Sequence, residues 1–516
     1  MSNNFALNSL YQQIRFFISF VRFVFFIFYF KKNNAANIKV NSNKEVAVLI
    51  TPWMYTAVPW FAIAVGLGLS RKIGVKFIYD NSNYDNFSLK QYSSSLVQNT
   101  LIKTALILSN IKYEKISQSK VVCDRDISEV EINELRLLAH KSRIHKYKTS
   151  LTDSASRAFE ESWFNRQIIR YLLIRDKLRN LTASKLLIPG GVYGNSGLYC
   201  LALKDSGKIS SYDSGLNRLL YCLNGIAGYQ QDVKSVVQAI DDNLLESDYQ
   251  TMYKYVMSEL SLRANGLDFY KTQICSHESV NSLPKFDVVI PLNITWDLPA
   301  LGKHSFFSDN TQWLNETIDF ILKKTKFSVC VRQHPHERHH TSGNDLAKYL
   351  VDKFGDHERF LFISATDAVN SYNLIDKATV VLPYVSTIGI EAALMGKAVI
   401  MESSCYYSSE NFVALALDKK QYFDLIKITC ESGAAPISRD AVRKAVLYYY
   451  VSQYCTPLDT VFTPFAENFI SWSKWKFFPQ DDEAMFMLDS LIYDVPAAQL
   501  KSDEFIRKMN SNGLAK

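Results

Sequence analysis

The segment Pro383-Tyr384-Val385-Ser386-Thr387-Ile388-Gly389-Ile390-Glu391 follows the apolar run Thr379-Val380-Val381-Leu382 and leads to Gly396-Lys397-Ala398-Val399-Ile400. This order predicts a strand, a tight turn, a short helix, a glycine stop and a second strand. Ser386 and Thr387 fall at the helix start, where unpaired backbone N–H groups and the helix dipole favour an anion. Glu391 lies one turn further on. Hydroxyls and amides for a phosphate, with a carboxylate nearby for ribose hydroxyls, suit a bound nucleotide. The plainer alternative is a strand–helix connection with a Ser/Thr cap. Gly389, Glu391 and Gly396-Lys397 add to what a bare cap would show.

A second candidate is Val331-Arg332-Gln333-His334-Pro335, again after an apolar run. Pro335 holds His334 in extended or turn geometry, so the imidazole should project from a strand end. His336, His339 and His340 complete an HxHxxHH pattern. It has no neighbouring Cys or convincing carboxylate set, so no metal is expected there, and the last three histidines read as a polar loop. Group transfer also needs a base or nucleophile. Asp213 ends the run Ile209 to Tyr212 and precedes Ser214-Gly215, which makes it the first candidate; a turn cap is the alternative. Asp297 is second and Asp80 third. The loop Gly190-Gly191-Val192-Tyr193-Gly194-Asn195-Ser196-Gly197 lacks the Lys-Ser/Thr of a phosphate-binding P-loop. Gly190, Gly191 and Asn195 there, with Asn293 after the run Val288 to Leu292, are candidate contacts to a substrate.

These residues must be held by strand ends. Glu45 to Thr51 and Val75 to Asp80 read as strands around a helix from Phe61 to Arg71, the start of a doubly wound sheet. Residues 86–182 read as mainly helical, and strands resume at Leu186 to Pro189 and Ile209 to Tyr212. A second series alternates strand and helix from Val288 to 401, and helices close the chain. Asp213, Asn293, His334 and Ser386 each follow an apolar strand, on the edge where such sheets bind ligands. The expected division is 1–44, a membrane-associating helix and linker; 45–280, an amino-terminal Rossmann-like domain on the acceptor side; 281–430, a carboxy-terminal one on the donor side; and 431–516, helices.

The set His334-Pro335, Ser386-Thr387-Ile388-Gly389-Ile390-Glu391 and Gly396 to Ile400 resembles the carboxy-terminal half of the GT-B glycosyltransferases. It is most similar to those of bacterial capsule and lipopolysaccharide synthesis: capsular Kdo transferases, some sialyltransferases and teichoic acid glycerophosphotransferases. Asn293-Ile294-Thr295-Trp296-Asp297 is similar to the opening loop of that half. The resemblance spans about residues 286–425, and the first half matches only in architecture. It implies an α/β fold of two Rossmann-like domains facing a cleft; the residues themselves add a helical insertion and an amino-terminal amphipathic helix. It further implies that His334, Ser386 and Thr387 hold the donor phosphate, with Gly389 beside them, and that Glu391 holds the ribose. The implied activity is metal-independent transfer of a sugar from a nucleotide-activated donor to a capsule or lipopolysaccharide acceptor, with no cofactor beyond the nucleotide sugar. A nucleotide-sugar epimerase on the same scaffold, or a non-catalytic nucleotide-binding partner of an assembly complex, are the alternatives.

Charge argues against a nucleic-acid partner. The formal net charge is +7, but six basic residues precede the first acidic one, Glu45, which leaves 52 basic and 51 acidic residues for the body. A nucleic-acid groove needs clustered basic charge on the folded body. The basic start points to an acidic membrane surface. Phe16 to Phe30 is aromatic and apolar around Ser19 and Arg22; as a helix its 15 residues span about 22 Å, short of a bilayer core. An interfacial helix on the inner face of the cytoplasmic membrane is expected; a helix covering an apolar patch of its own domain is the alternative. The eight scattered cysteines, without a CxxC pair, read as reduced thiols of a cytosolic protein.

Overall fold

A computed structural model of the chain describes residues 2–33, 41–53, 56–81, 89–116, 127–215, 218–267, 284–297, 300–339, 344–433, 435, 437–464 and 481–511. Residues 34–40, most of the expected linker, and His340 lie outside these. The chain forms two units, each assembled from separated stretches. Unit 1 holds residues 1–138, 164–232 and 454–505; unit 2 holds 139–163, 233–453 and 506–516.

The chain begins with α1 (Ser2–Asn33), β1 (Asn41–Ile50), α2 (Val58–Leu69), β2 (Ile73–Tyr79), α3 (Leu89–Ser109) and β3 (Tyr113–Lys115). Two long helices, α4 (Glu129–Tyr147) and α5 (Ser154–Leu178), precede β4 (Lys185–Pro189), α6 (Gly194–Ala202), β5 (Ile209–Gly215) and β6 (Arg218–Cys222). Val46 to Ile50 are buried throughout, as the continuous apolar run requires of a strand covered on both faces. Helix α2 starts with Pro59 in its first turn, where the missing N–H costs nothing.

Unit 2 contains α7 (Val233–Asp241), α8 (Glu246–Ala264), β7 (Val288–Pro291), α9 (Asn310–Lys324), β8 (Val329–Arg332), α10 (Asn344–Phe354), β9 (Phe360–Ile363), α11 (Ser371–Asp376), β10 (Val380–Val381), α12 (Ile388–Leu394), β11 (Ala398–Met401), β12 (Ala414–Leu415), α13 (Lys419–Ser432) and α14 (Arg439–Tyr450). The chain then returns to unit 1 with β13 (Pro457–Leu458), α15 (Asp482–Tyr493) and the first part of α16 (Ala497–Ser511), whose residues from Ile506 on belong to unit 2.

The sheet of unit 2 has the order β12-β11-β10-β7-β8-β9 and is parallel throughout. From β7 the chain winds outward through β8 and β9, then crosses back to β10 and winds the other way. The switch point lies between β7 and β10. In unit 1 the order is β13-β6-β5-β4-β1-β2-β3. It is parallel from β5 to β3, with β6 and β13 added antiparallel, so its switch point lies between β1 and β4. Each unit is thus a Rossmann-like α/β layer with its own core, and the expected fold class is observed in both.

Three expectations need correction. The division between units falls after Asp232, not near residue 280: α7 and α8 pack on α14, where Arg443 and Lys444 both pair with Asp241 at 2.7 Å. The last helices form no separate body, because β13 pairs with β6 and α15 packs on α2. The helix at the start is 32 residues long, about 48 Å, so it is not too short for a bilayer core as the 15-residue segment was expected to be.

Candidate active site

In unit 2 the strands β10, β7 and β8 are adjacent and parallel. Their carboxyl ends therefore bring the loops carrying Ser386, Asn293 and His334 to one edge. Side chains tie each loop to the next. Asn293 Oδ1 accepts from the Val385 amide at 3.3 Å, across the switch point. Glu337 Oε1 accepts from the Thr295 amide at 3.0 Å and its hydroxyl at 3.2 Å, and Glu337 Oε2 accepts from Gln333 Nε2 at 2.9 Å. Gln333 Oε1 accepts in turn from the Ala365 amide after β9, at 2.9 Å. The Arg332 guanidinium donates to the carbonyls of Ser364 and, at 2.9 Å, Val369. Gln333, Arg332 and Glu337 are buried, so these bonds act without competition from water. The loops of four strands form one braced edge.

His334 is half-buried in this edge. Its Nδ1 accepts from the His336 amide at 3.2 Å, in a turn closed by the Glu337 amide on the His334 carbonyl at 3.0 Å. Burial, then the charges of His336 and Arg332, push its pKa down to about 4. The ring is therefore neutral at pH 7. With Nδ1 accepting, its proton sits on Nε2, where it can be donated to an oxyanion. His145 is pushed down to about 4 by burial and then by Lys148. Both groups bind a proton more readily in the unfolded chain, near pH 6.5. Their contribution to stability is complete above that value and is lost as pH falls toward about 4. Urea midpoints measured from about pH 7 to pH 4 should fall more steeply in the native protein than in the His334→Gln variant; equal slopes would refute the burial of a neutral ring.

Ser386 and Thr387 are half-buried at the head of α12. The Ser386 hydroxyl accepts from the Ile388 amide at 3.4 Å, and the Tyr407 hydroxyl donates to the Ser386 carbonyl. Thr387 is the N-cap of α12 but makes no side-chain cap bond. Gly389 is buried. A Cβ there would lie 3.0 Å from Pro383 Cγ and collide with the Tyr407 hydroxyl. Its small size serves packing of the loop, a role different from the nucleotide contact expected of it.

The expected role of Glu391 is not what the geometry gives. Its carboxylate is buried, with Oε1 accepting from Arg263 Nη1 at 2.7 Å and Oε2 from the Tyr372 hydroxyl at 2.9 Å. Arg263 Nη2 also donates to Gln453 at 3.1 Å. Both carboxylate oxygens are engaged inside the unit, so they do not present an acceptor to a ribose. The reason is the helical spacing itself, which turns position 391 toward α8 and α11.

A further pair escaped the sequence reading. His304 Nδ1 lies 2.6 Å from Glu402 Oε1, and its ring stacks on Tyr384 at 4.2 Å. The Tyr384 hydroxyl accepts from the Lys303 amide at 2.9 Å. This pair fixes the loop before Ser386 from below. Its only sequence signal was Glu402 just after a strand. Glu337 was equally hidden, although it stands three residues beyond His334. Asp297 is exposed in the same loop as Asn293, and its charge acts on Lys148. Among the described residues no group of three His, Cys, Asp or Glu converges as a metal site.

In unit 1 the same edge carries Gly190 and Gly191 after β4, and Thr51 to Trp53 after β1. Both glycines have left-handed φ, +67° and +116°, which side chains rarely adopt. A Cβ on Gly190 would meet Ser196 Oγ at 3.4 Å, Trp53 at 3.5 Å and Asp213 Oδ2 at 3.8 Å. Asp213 is thus beside the Gly190 loop, as expected, and it raises the pKa of Tyr193 after burial does. It does not end its strand. It lies within the β5–β6 hairpin opposite Leu220, because the chain reverses antiparallel after Gly215. Its Oδ1 accepts from the Ser214 amide at 2.7 Å. Asn195 lies in the first turn of α6 and is half-buried. Asp80 is buried against the Tyr199 hydroxyl at 2.7 Å and Arg170 at 3.4 Å, a bracing role.

No protein-family model and no curated protein matches the chain. Solved structures do. The β-Kdo 2,7-transferase KpsC structure from Thermosulfurimonas dismutans matches with a TM-score of 0.32 at 13% identity, over 63% of this chain and 88% of that one. The β-Kdo 2,4-transferase KpsC structure of the same organism matches at 0.34 and 15%, over 52% and 79%. The UDP-GlcNAc 2-epimerase from Neisseria meningitidis matches at 0.24 and 12%, over 78% and 95%. Kdo transferases are thus among the structures this chain is similar to.

Proposed function

We propose that this chain is a metal-independent GT-B glycosyltransferase. It takes a sugar from a nucleotide-activated donor and passes it to a surface-polysaccharide or lipid-linked acceptor at the inner face of the cytoplasmic membrane. The observation that supports this most is the braced edge of unit 2. At its switch point, the place where open α/β sheets bind ligands, Asn293 ties the Ser386 loop to the loop after β7 while Glu337 holds the His334 turn against that same loop. The leaving nucleotide phosphate gains negative charge as the glycosidic bond breaks. His334 Nε2–H and the hydroxyls of Ser386 and Thr387 donate to it, and fixed donors act without reorganising. The acceptor hydroxyl loses its proton to a carboxylate, with Asp213 the first candidate and Asp297 the second. Glu391 acts indirectly, holding α12 to α8.

A thermal-shift screen with CMP, CDP, UDP and UMP tests the donor side. The leaving nucleotide at about a hundred times its Kd should add about 2.7 kcal/mol and raise the midpoint by roughly 5 °C. No shift with any of the four would contradict a nucleotide donor site.

A further inference from the structure

The first helix carries two apolar stripes. Phe16, Phe23, Phe26, Ile27 and Phe30 are buried in the core of unit 1. Their target is Trp60 of α2, which is fully buried, with the rings of Phe16, Phe20 and Phe23 at 5.0, 5.7 and 5.4 Å from its own. The second stripe, Tyr11, Ile14, Ile18, Val21, Phe25 and Phe28, repeats at alternating intervals of three and four residues and is exposed; Phe25 is 71% and Phe28 55% accessible. At about 100° per residue the two stripes point to opposite sides of the helix. Arg15 and Arg22 fall on one border between them, and Lys31 and Lys32 close the helix. Beside α1, helix α3 leaves Leu96, Val97 and Ile107 exposed as well.

We infer that the outer stripe of α1 lies in the headgroup–acyl boundary of an anionic bilayer, with the helix axis in the membrane plane and the inner stripe still in the core of unit 1. Three occupants compete for this face, and the side chains decide among them. Residues Tyr11 to Asn33 are long and apolar enough to cross a membrane. A crossing helix would have to withdraw Phe16, Phe20 and Phe23 from Trp60, leaving that indole bare. A second copy of the chain would exploit the three-four spacing as a coiled-coil seam. No acidic residue precedes Glu45, so such a seam would set Arg15, Arg22, Lys31 and Lys32 against their own kind without a counter-charge. Anionic lipid supplies that counter-charge, and large aromatic side chains suit the boundary region.

This inference stands apart from the transferase reading, since binding is measured without donor or turnover. Removing the whole helix would uncover Trp60 and the core around it, so loss of binding would be confounded with unfolding. The test is co-sedimentation of the full chain with vesicles of phosphatidylcholine alone and of an equal mixture with phosphatidylglycerol. The protein should bind the mixed vesicles, be released by alkaline carbonate, and bind pure phosphatidylcholine at least roughly tenfold more weakly. The variant Phe17→Ser/Phe25→Ser/Phe28→Ser, changed only at exposed positions, should keep its thermal midpoint and lose binding roughly a hundredfold. Arg15→Gln/Arg22→Gln should lose the preference for the anionic mixture. Retention after carbonate would assign the helix to a span. Failure of the native protein to sediment, with a concentration-dependent dimer that the triple variant abolishes, would assign the face to a second copy. Either result overturns the inference.

Discussion

Arg263→Met is expected to destabilise unit 2 by about 3–5 kcal/mol, because it leaves the Glu391 carboxylate buried without its cation. The pair is almost wholly enclosed, with side-chain exposures of 9% and 2%. Its bond lengths are 2.7 Å to Arg263 and 2.9 Å to Tyr372, and water cannot replace the lost partner. Glu391→Ala should cost a similar amount by stranding the guanidinium. The double variant Arg263→Met/Glu391→Leu should recover most of the loss, since an apolar pair of similar volume removes both desolvation costs. Urea midpoints of the three variants measure this directly. A loss below about 1 kcal/mol in Arg263→Met, in the range of exposed pairs, would show that the pair is not enclosed. The same variants separate bracing from ribose recognition. In a bracing role, Glu391→Gln lowers stability and nucleotide affinity together; a selective fall in affinity at unchanged stability would return Glu391 to the ligand.

The second large effect is on turnover. His334→Ala should lower kcat by about a hundredfold to a thousandfold, the range for removing one preorganised donor from a developing oxyanion. Its cost in stability should be small. The ring is half-buried and accepts one backbone hydrogen bond at 3.2 Å, worth about 1 kcal/mol. Transfer rates at saturating donor and acceptor, read beside thermal midpoints, check the two halves of this statement. Unchanged kcat would remove His334 from the chemistry. A fall in both rate and midpoint would reduce it to a structural turn residue.

The alternation of apolar runs with helical patterns made both sheets legible, and strand ends correctly located Asn293, His334 and Ser386 on one edge. What escaped is informative. β3, β6, β12 and β13 were not read as strands, and missing β6 is what made Asp213 look like a strand terminus. The interleaving of the two units also escaped, because residues 139–163 and 454–505 join their units by packing across long sequence separations. The motif at Glu391 was recognised but its partners were not. Arg263 is 128 residues away, and nothing local marks it as the cation for that carboxylate. Glu337 and Glu402 look like ordinary polar loop residues until the strand order shows which loops they join. The start of the chain reads as an amphipathic helix; only burial separates the stripe that serves the core from the stripe that does not.

The most direct measurement of the central claim is calorimetric titration of the stabilising nucleotide into the native protein, His334→Ala and Ser386→Ala/Thr387→Ala. A phosphate held at the switch point of unit 2 predicts saturable binding to the native protein, weakened at least about tenfold in each variant, or about 1.4 kcal/mol per variant, at unchanged thermal midpoints. Equal affinity in all three proteins would place the nucleotide elsewhere and contradict the assignment of this edge as the donor site.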